Sequence, residues 1–408
     1  MSYRFAKVTT FYDEFLKDYY RRHPGAAHKS YTEQMAHIMS EAFGWANFFS
    51  INLNKIGVDA FEIVANVDPI QQRWAHEHGI KASDKEIVIA QLRELSPDIV
   101  MFEDSYIFNG EWIDYLREQV PSIKHVIGCC SAPYTESDLV KFKVFDYMLT
   151  GAPHYVWEFE KKGFKMHLMY HAFEPSLLPR ISQNNNYPDV DFIFLGSLIK
   201  GKGFHNTRIK IIENLIEAGI NLNIYTRLYH ESALSTLVKQ GKYLAFTLFR
   251  KAGLRFIVQT IPSLKESEKW SESPKNNIYS NSLKKIVKPP IYGLEMFKAL
   301  SKAKIGFNSH IDAAGDYAGN MRLFEATGVG TCLLTDWKRN LHELFEADYE
   351  VVTYKTVDEC VEKTKWLLDN PRKMEIIAKA GQTRVLRDHT YYIRALQLDE
   401  IIRKRLKQ

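Results

Sequence analysis

The sequence predicts an α/β protein made of two doubly wound domains that face each other across a cleft. The chain has 408 residues, which is more than one hydrophobic core usually organises. Strand-like and helix-like segments alternate in both halves, a pattern typical of parallel sheets covered by helices on both faces. A polar stretch without periodicity at 182–188 predicts a linker. We therefore expect one domain at 1–181, a second at 188–386, and a C-terminal helix at 387–408 that packs back on the first domain.

The first half alternates short apolar runs with segments of helical periodicity. The helix at Asp84–Leu95 is predicted to stop at Ser96-Pro97, and the helix at Tyr31–Ile56 at Gly57. The other predicted helices are Glu111–Gln119, Ser137–Phe142 and Val156–Lys162. The predicted strands are Phe5–Thr10, Val58–Val64, Asp98–Phe102, His125–Cys130, Val144–Leu149 and Phe164–Met169.

The second half repeats this alternation and ends in three helices. Its predicted strands are Val190–Leu195, Leu222–Thr226, Ile305–Asn308, Thr331–Thr335 and Glu350–Tyr354. Its other predicted helices are Asn206–Ala218, Gly293–Lys302 and Leu341–Glu346. In doubly wound sheets ligands bind beyond the carboxyl ends of the strands, so polar residues at those ends are the candidates for function.

Composition excludes several classes of protein. Hydrophobic residues make up 45% and charged residues 25% of the chain, as in ordinary globular proteins. No apolar run approaches the roughly 20 residues of a membrane span, and the first five residues lack a signal-peptide core. The four cysteines include Cys129-Cys130 in an apolar strand, and neither they nor the histidines show metal-ligand spacing. We expect reduced thiols, no metal, no cofactor and a cytoplasmic location.

The segment 229–290 differs from the rest of the chain in charge. It holds eleven basic and four acidic side chains, a net charge of +7, whereas the whole chain carries +5. Within it, 237–262 mixes basic residues with aromatic and aliphatic ones. This pattern is typical of an interfacial helix on an anionic membrane, which here would be the inner face of the membrane. It is also typical of a helix that packs on its own domain and has a solvated basic face, and this second interpretation is slightly favoured. No module for nucleic-acid binding is present.

The most informative segment is 319–330, a loop and short helix that precede the apolar strand Thr331–Thr335. It reads Gly319-Asn320-Met321-Arg322-Leu323-Phe324-Glu325-Ala326-Thr327-Gly328-Val329-Gly330. Helix starts attract anions, and the guanidinium of Arg322 suits phosphate. Glu325 lies one turn further on, where a carboxylate accepts hydrogen bonds from a sugar diol. Ordinary helix capping is the alternative, but an unpaired carboxylate in this apolar stretch would be costly.

Other polar groups follow strands of both halves. In the second half these are Gly196, Ser197, His205, Arg208, Asn308 and His310. In the first half Glu103 and Asp104 end a strand and are candidates to orient or deprotonate an acceptor hydroxyl, or simply to cap the next turn. His28, Tyr31 and Trp45 are candidates to line an acceptor pocket, although aromatic residues at helical spacing are more often part of the core.

These motifs resemble those of the CgeB-like branch of the group 1 glycosyltransferases. The resemblance extends over most of the chain and is greatest at 290–390. It is carried by Asn320–Gly328, Leu333–Asp336, Phe194–Ser197, Tyr292–Met296, Asn308–Asp312, Ala380–Thr390, Phe43–Trp45 and His171–Pro175.

The resemblance implies the GT-B fold of two Rossmann-like domains and metal-independent transfer of a sugar from a nucleotide-diphosphate-sugar to an acceptor hydroxyl. The acceptor is expected to be a saccharide or a lipid-linked compound, in surface polysaccharide or glycoconjugate biosynthesis. The resemblance implies that Glu325 contacts the donor ribose and that Asn320 and Arg322 lie near the diphosphate. The expected donor-binding residues are Gly196, Ser197, His205, Arg208, Tyr292, Asn308, His310, Gly319, Asn320, Met321, Arg322 and Glu325.

The sequence departs from the family pattern eight positions before Glu325. Many group 1 transferases carry a second glutamate there, whereas this chain has Tyr317, and the neighbouring Asp316 is a candidate to replace it. Two other functions stay open. One is a sugar-nucleotide epimerase on the same fold, and the other is a non-catalytic sugar-binding or membrane-associated protein.

Overall fold

The computed structural model consists of two α/β domains, as predicted. It describes residues 2–108, 110–181, 190–201, 203–228, 233–265, 267, 273 and 279–407. The predicted linker at 182–188 lies outside the described residues, and the basic segment 229–290 is described in part. The domain boundaries themselves stay a prediction.

The first domain contains a parallel sheet with helices on both faces. Its described strands are β1 (Arg4–Thr9), β2 (Asp59–Val64), β3 (Ile99–Phe102), β4 (His125–Cys129), β5 (Tyr147–Thr150) and β6 (Met166–Leu168). Its described helices are α1 (Asp13–Arg22), α2 (Tyr31–Ser40), α3 (Phe48–Lys55), α4 (Asp68–Glu77), α5 (Asp84–Leu95), α6 (Gly110–Gln119), α7 (Glu136–Phe142), α8 (Pro153–Glu160) and α9 (Leu178–Ile181). The strands are parallel in the order β2-β1-β3-β4-β5-β6.

The second domain repeats this architecture. Its described strands are β7 (Val190–Leu195), β8 (Leu222–Tyr225), β9 (Val287–Lys288), β10 (Ala303–Asn308), β11 (Cys332–Asp336) and β12 (Val352–Tyr354). Its described helices are α10 (Asn206–Glu217), α11 (Ala233–Lys251), α12 (Arg255–Thr260), α13 (Pro262–Lys265), α14 (Asn281–Ile286), α15 (Gly293–Ser301), α16 (Arg322–Gly328), α17 (Leu341–Leu344), α18 (Val357–Asp369), α19 (Pro371–Asp388) and α20 (Tyr391–Arg405). The strands are parallel in the order β12-β11-β10-β7-β8-β9.

The central strands are buried on both faces because helices cover both sides of each sheet. All four residues of β3 are buried, and so are the first four of β11. Continuous apolar runs of this kind are what a parallel sheet requires. The outcome is two sheets whose carboxyl ends provide loops to the space between the domains.

The prediction of one helix at Tyr31–Ile56 is wrong. The chain leaves α2, turns through residues 42–46 and then begins α3. Ala42, Gly44 and Ala46 all adopt positive φ in this turn, which a helix excludes. Phe43 stacks on Phe15 of α1 with ring centroids 4.2 Å apart, so tertiary packing outweighs the helical periodicity. The helices α1 and α4 were not predicted from the sequence.

The domains touch at two places where a glycine of the second domain meets the main chain of the first. Gly319 packs on the carbonyl of Gly151, and a side-chain carbon at Gly319 would overlap that oxygen. Gly293, at φ +54°, packs in the same way on the carbonyl of Glu41, which accepts a 2.6 Å hydrogen bond from the amide of Leu294. The helix α20 packs on α3 of the first domain.

The described part of the basic segment is helical. The helices α11, α12 and α13 pack against one another. The outward face of α11 is apolar, and its members are more than half exposed: Leu234, Leu237, Val238, Leu244 and Leu248. None of the helices among the described residues has the length and apolar character needed to cross a membrane.

Candidate active site

A cavity of about 350 Å³ lies between the domains at the carboxyl ends of both sheets. We call it the interdomain cavity. Residues of the first domain that line it are Thr10, Phe11, Tyr12, Phe43, Gly44 and Glu103. Residues of the second domain that line it are Phe194, Leu195, Gly196, Arg208, Gly293, Met296, Phe307, Asn308, Ser309, Asn320, Met321, Arg322 and Glu325. Seven of the predicted donor-binding residues are among them.

Arg322 and Glu325 form a buried ion pair on the wall of this cavity. The Nη1 of Arg322 lies 2.9 Å from Oε2 of Glu325, one turn further along α16. Burial raises the pKa of Glu325, while the charge of Arg322 opposes that shift. The guanidinium also donates to the carbonyl of Leu195 at 3.2 Å, which ties α16 to the end of β7.

Two buried polar atoms in this wall lack a hydrogen-bond partner among the described residues. They are Oδ1 of Asn320 and Nε of Arg322. Asn320 itself is held by a 2.7 Å bond from its Nδ2 to Oδ1 of Asn308, whose Nδ2 in turn donates to Thr335 at 2.9 Å. Burying polar atoms without partners costs free energy, so a polar ligand that reaches these two atoms would stabilise the wall.

Arg208 also lines the cavity, but its hydrogen bonds hold the loops that surround it. Its Nε donates to the carbonyl of Ser309 at 3.0 Å, and its Nη1 donates to the carbonyl of Ser197 at 2.9 Å. Burial lowers the pKa of Arg208 to about 10, so the side chain stays charged at neutral pH. It therefore contributes positive charge to the cavity while joining the loops after β7 and β10.

Two predicted histidines lie behind the cavity wall. The Nδ1 of His205 accepts a 3.1 Å bond from the amide of Ile199, and burial together with Arg208 lowers the pKa of His205 to about 4. His310 pairs with Asp336 at 2.7 Å, and its Nε2 accepts from the amide of Gly319 at 3.4 Å. Although burial opposes ionisation, His310 and Lys338 hold the pKa of Asp336 well below its usual range. Both histidines position loops of the cavity.

On the first-domain side the carboxylate that lines the cavity is that of Glu103. Its Oε2 is bound by Lys7 at 2.9 Å and by the hydroxyl of Thr9, and its Oε1 faces Gly44 at the cavity wall. Lys7 is fully buried and also contacts Glu62 at 3.3 Å. The neighbouring Asp104 does not line the cavity and accepts a 3.0 Å bond from the amide of Tyr106, which is a capping role.

The remaining predicted residues lie elsewhere. His28 is exposed, and Tyr31 lines a different cavity within the first domain. Trp45 donates to Nδ1 of His171 at 3.1 Å and packs on Phe49. Asp316 is largely exposed, 3.9 Å from Arg339. The structure does not bring these side chains into the interdomain cavity.

Tyr292, Gly319 and Tyr317 lie at contacts between the domains. Tyr292 precedes α15 and meets the ring of Phe43 edge-on at 5.6 Å. Tyr317, at the position where a glutamate was expected, stacks on His154 with centroids 5.5 Å apart and meets Trp157 at 5.2 Å. Thr10, Phe11 and Tyr12 were missed by the sequence analysis. Their position after β1 is the signal that would have identified them.

Part of the second half of the chain matches a known family model. Residues 247–400 match the family model described as glycosyl transferase-like. Among curated proteins, none has a significantly similar sequence. The match includes α16 and the strand β11, which carry the ion pair and the polar network of the cavity. It supports a transferase, the enzyme class that was predicted from the sequence.

Solved structures with the same architecture extend over the whole chain. HepE from Anabaena, solved with UDP-glucose, has a TM-score of 0.54 at 10% identity and covers 98% of this chain and 99% of its own. Sucrose-phosphate synthase from Thermosynechococcus elongatus has a TM-score of 0.53 at 11% identity, and the match covers 99% of this chain and 100% of the synthase chain. A glycosyltransferase from Rickettsia africae has a TM-score of 0.53 at 9% identity, and the match covers 100% of this chain and 99% of that glycosyltransferase. The prediction of a GT-B fold is confirmed.

Proposed function

We propose that the protein transfers a sugar from a nucleotide-diphosphate-sugar to an acceptor hydroxyl, without a metal or cofactor, as a CgeB-like member of the group 1 glycosyltransferases. The observation that carries the proposal is the cavity wall formed by Asn320, Arg322 and Glu325, in which Oδ1 of Asn320 and Nε of Arg322 have no hydrogen-bond partner among the described residues. The glycosyl transferase-like match over 247–400 and the UDP-glucose bound by the similar HepE support the same donor class.

In this proposal the second domain binds the nucleotide half of the donor. The diphosphate gains charge as the glycosidic bond breaks, and the guanidinium of Arg322 stabilises that charge in a site of low dielectric. Asn320 completes its hydrogen bonds with the ligand through Oδ1. Glu325 accepts hydrogen bonds from the ribose diol on the side of its carboxylate that Arg322 leaves free.

The first domain supplies the acceptor side. Glu103 lines the cavity with Oε1 while Lys7 and Thr9 hold Oε2, so the carboxylate is fixed in orientation. We propose that Glu103 orients the acceptor hydroxyl and takes up its proton as the new glycosidic bond forms. The acceptor is a saccharide or a lipid-linked compound of surface polysaccharide or glycoconjugate biosynthesis.

A thermal-shift screen with nucleoside diphosphates and their sugars tests the donor site. We expect the nucleoside diphosphates of one base to raise the melting temperature of the wild type and not that of Glu325→Gln. The amide of the variant no longer forms an ion pair with Arg322, and it accepts hydrogen bonds from the ribose diol more weakly. Glu375→Gln, at an exposed position of α19, is the matched control and should respond like the wild type. Equal shifts in all three proteins would contradict the proposal.

Product analysis then separates the three functional classes. Incubation with the matching donor and a saccharide acceptor should release nucleoside diphosphate and form a glycoside. Epimerised donor in the absence of acceptor would instead indicate an epimerase. The absence of a thermal shift with every nucleotide would indicate a non-catalytic protein.

We also propose that the protein attaches to the cytoplasmic face of an anionic membrane through residues 237–262. The exposed leucines of α11 provide apolar area for insertion, and Lys242 and Lys251 lie on either side of that apolar stripe on the helical projection. A solvated helical excursion would present its polar residues outward, whereas the outward face here is apolar.

Liposome flotation tests the attachment. The double variant Leu237→Glu/Leu244→Glu should lose flotation with phosphatidylglycerol vesicles. Val140→Glu, at an equally exposed apolar position of α7, should float like the wild type. Equal flotation of all three proteins, or equal flotation with neutral phosphatidylcholine vesicles, would contradict an anionic-membrane contact through this face.

A further inference from the structure

Lys7 links the carboxylate of Glu103 to a second carboxylate, that of Glu62. The Nζ of Lys7 is fully buried and has three N–H groups to donate. It donates to the carbonyl of Ala46 at 2.7 Å and to Oε2 of Glu103 at 2.9 Å, and it forms an ion pair with Oε2 of Glu62 at 3.3 Å. One buried positive charge is therefore shared by two carboxylates.

The two carboxylates differ in their access to the interdomain cavity. Glu103 follows β3, its side chain is 21% exposed, and it lines the cavity. Glu62 is 7% exposed and is not among the residues that line the cavity. It is the direct partner of Lys7 in the parallel register of β1 and β2, so the sheet itself fixes their contact. Glu62 therefore influences a ligand in the cavity only through its charge and through Lys7.

The charges of the three groups depend on one another. Although burial opposes the charge of Lys7, Glu103 and Glu62 together raise the pKa of Lys7, so the ammonium stays charged. Burial raises the pKa of Glu62 to about 7, Lys7 opposes this shift, and the charge of Glu103 adds to it. Such coupling is reciprocal, so a charged Glu62 also favours the uptake of a proton by Glu103.

The other side chains around Glu62 keep a constant charge near neutral pH. Glu94 of α5 and Tyr31 of α2 line the same cavity within the first domain as Glu62. The side chain of Glu94 is 58% exposed and lies 3.4 Å from His78, so water and salt screen its charge. Burial raises the pKa of Tyr31 to about 12, so its phenol is neutral. From α3 the neighbour is the uncharged hydroxyl of Ser50.

The side chains around Glu103 are also constant in charge. The uncharged ones near it are two phenols and a buried thiol, which are neutral near pH 7: Tyr12, Tyr391 and Cys129. The adjacent Asp104 accepts from the amide of Tyr106. Among the described residues that face the two carboxylates, Glu62 is thus the group whose charge changes near neutral pH.

We propose that Glu62 is a positioning residue that controls the strength of Glu103 as a base through Lys7. When Glu62 is charged, it shares the ammonium, and Glu103 takes up the proton of the acceptor hydroxyl more readily. When Glu62 is neutral, Glu103 alone opposes the charge of Lys7 and is the weaker base. The assignment rests on the proposed transferase function, in which Glu103 receives that proton.

Carbon-13 NMR of glutamate carboxyl groups in the full-length protein measures the coupling without any substrate. We expect the signal that disappears in Glu62→Gln to titrate near pH 7 in the wild type and about one pH unit lower in Glu103→Gln. The second variant removes the like charge and leaves Lys7 to Glu62. Asp104→Asn leaves the contacts of Lys7 intact and is the matched control, with a midpoint near that of the wild type. An unchanged midpoint in Glu103→Gln would overturn the assignment.

The pH dependence of kcat, at saturating donor and acceptor, tests the effect on the reaction. Between about pH 6 and 8 we expect kcat of the wild type to rise roughly three- to tenfold as Glu62 becomes charged. Glu62→Gln should stay at the lower value, because its amide resembles the neutral carboxyl group. Glu94→Gln, in the same cavity, should follow the wild type, and melting curves check that each variant folds. An equal rise in Glu62→Gln would overturn the assignment.

The two measurements separate failure of this assignment from failure of the proposed function. A shifted midpoint of Glu62 in a protein without transferase activity would support the coupling and contradict the proposed function. Transferase activity with an unchanged midpoint would overturn the assignment and leave the proposed function intact.

Discussion

The two faces of the interdomain cavity are built in different ways. The second-domain face presents amides and charges held in a continuous network, from Asn320 through Asn308 to Thr335. The first-domain face presents the rings of Phe11, Tyr12 and Phe43 around one carboxylate. A fixed polar network suits a ligand of constant charge and shape, such as a nucleoside diphosphate. An aromatic face with one oriented carboxylate suits an acceptor whose hydroxyl alone is constant.

The comparison predicts that the first-domain carboxylate serves the reaction more than the binding of donor. Glu103→Gln should lower kcat by about 10²–10⁴-fold, because the amide no longer takes up a proton, while nucleotide affinity stays unchanged. Steady-state kinetics and calorimetry measure the two quantities. Asp104→Asn is the companion variant. Its carboxylate caps Tyr106, so an equal loss of kcat there would refute the distinction between the two carboxylates.

The second-domain face should show the opposite behaviour. Arg322→Met leaves Glu325 buried without its partner, which should lower the free energy of unfolding by about 3–5 kcal/mol and abolish nucleotide binding. The double variant Arg322→Met/Glu325→Gln removes both charges, so we expect stability to recover while binding stays lost. Denaturant unfolding and calorimetry separate the two effects. Recovery of binding in the double variant would show that the ion pair has only a structural role.

The buried carboxylate of Glu62, behind the first-domain face, should make stability depend on pH. The pKa of Glu62 is raised by burial to about 7, so the folded state binds more protons than the unfolded state between pH 4.5 and 7. Stability of the wild type should therefore fall with rising pH in this window by about 1–3 kcal/mol relative to Glu62→Gln. The charged groups that face Glu62 are Lys7 and Glu103, and Glu94 lines the same cavity within the first domain as Glu62. If the free energy of unfolding of the wild type and of Glu62→Gln changed with pH in the same way, this prediction would be contradicted.

The smallest effect is expected where the two faces meet. Gly319→Ala places a carbon on the carbonyl of Gly151, so the domains must move apart slightly. We expect kcat/KM to fall about tenfold and the radius of gyration in X-ray scattering to increase. Gly25→Ala, at a position with open space around it, is the control. An unchanged kcat/KM would show that the contact does not set the geometry of the cavity.

The sequence predicted the second-domain face better than the first because of how each is encoded. Asn320, Met321, Arg322 and Glu325 lie within six consecutive residues, so a local motif is enough to identify them. The first-domain face combines the loop after β1, the turn at 42–46 and the end of β3, which meet only after folding. The helical periodicity of 31–56 concealed the turn at 42–46.

Lys7 shows a second limit of sequence analysis. A lysine in a strand is normally exposed, and the apolar residues around it give no sign that it is fully buried. It is held by Glu62 and Glu103 from two neighbouring strands and by the carbonyl of Ala46 at 2.7 Å. Only the order of the strands brings these groups together.

The contacts at Gly151–Gly319 and Glu41–Gly293 have a consequence for the rate of domain motion. Both contacts are made by main-chain atoms, and at the second contact the amide of Leu294 donates a hydrogen bond to the carbonyl of Glu41. Beside these contacts Tyr292 meets Phe43 and Tyr317 stacks on His154, so separating the domains also separates packed aromatic rings. Any motion that opens the cavity is accordingly slowed at these points.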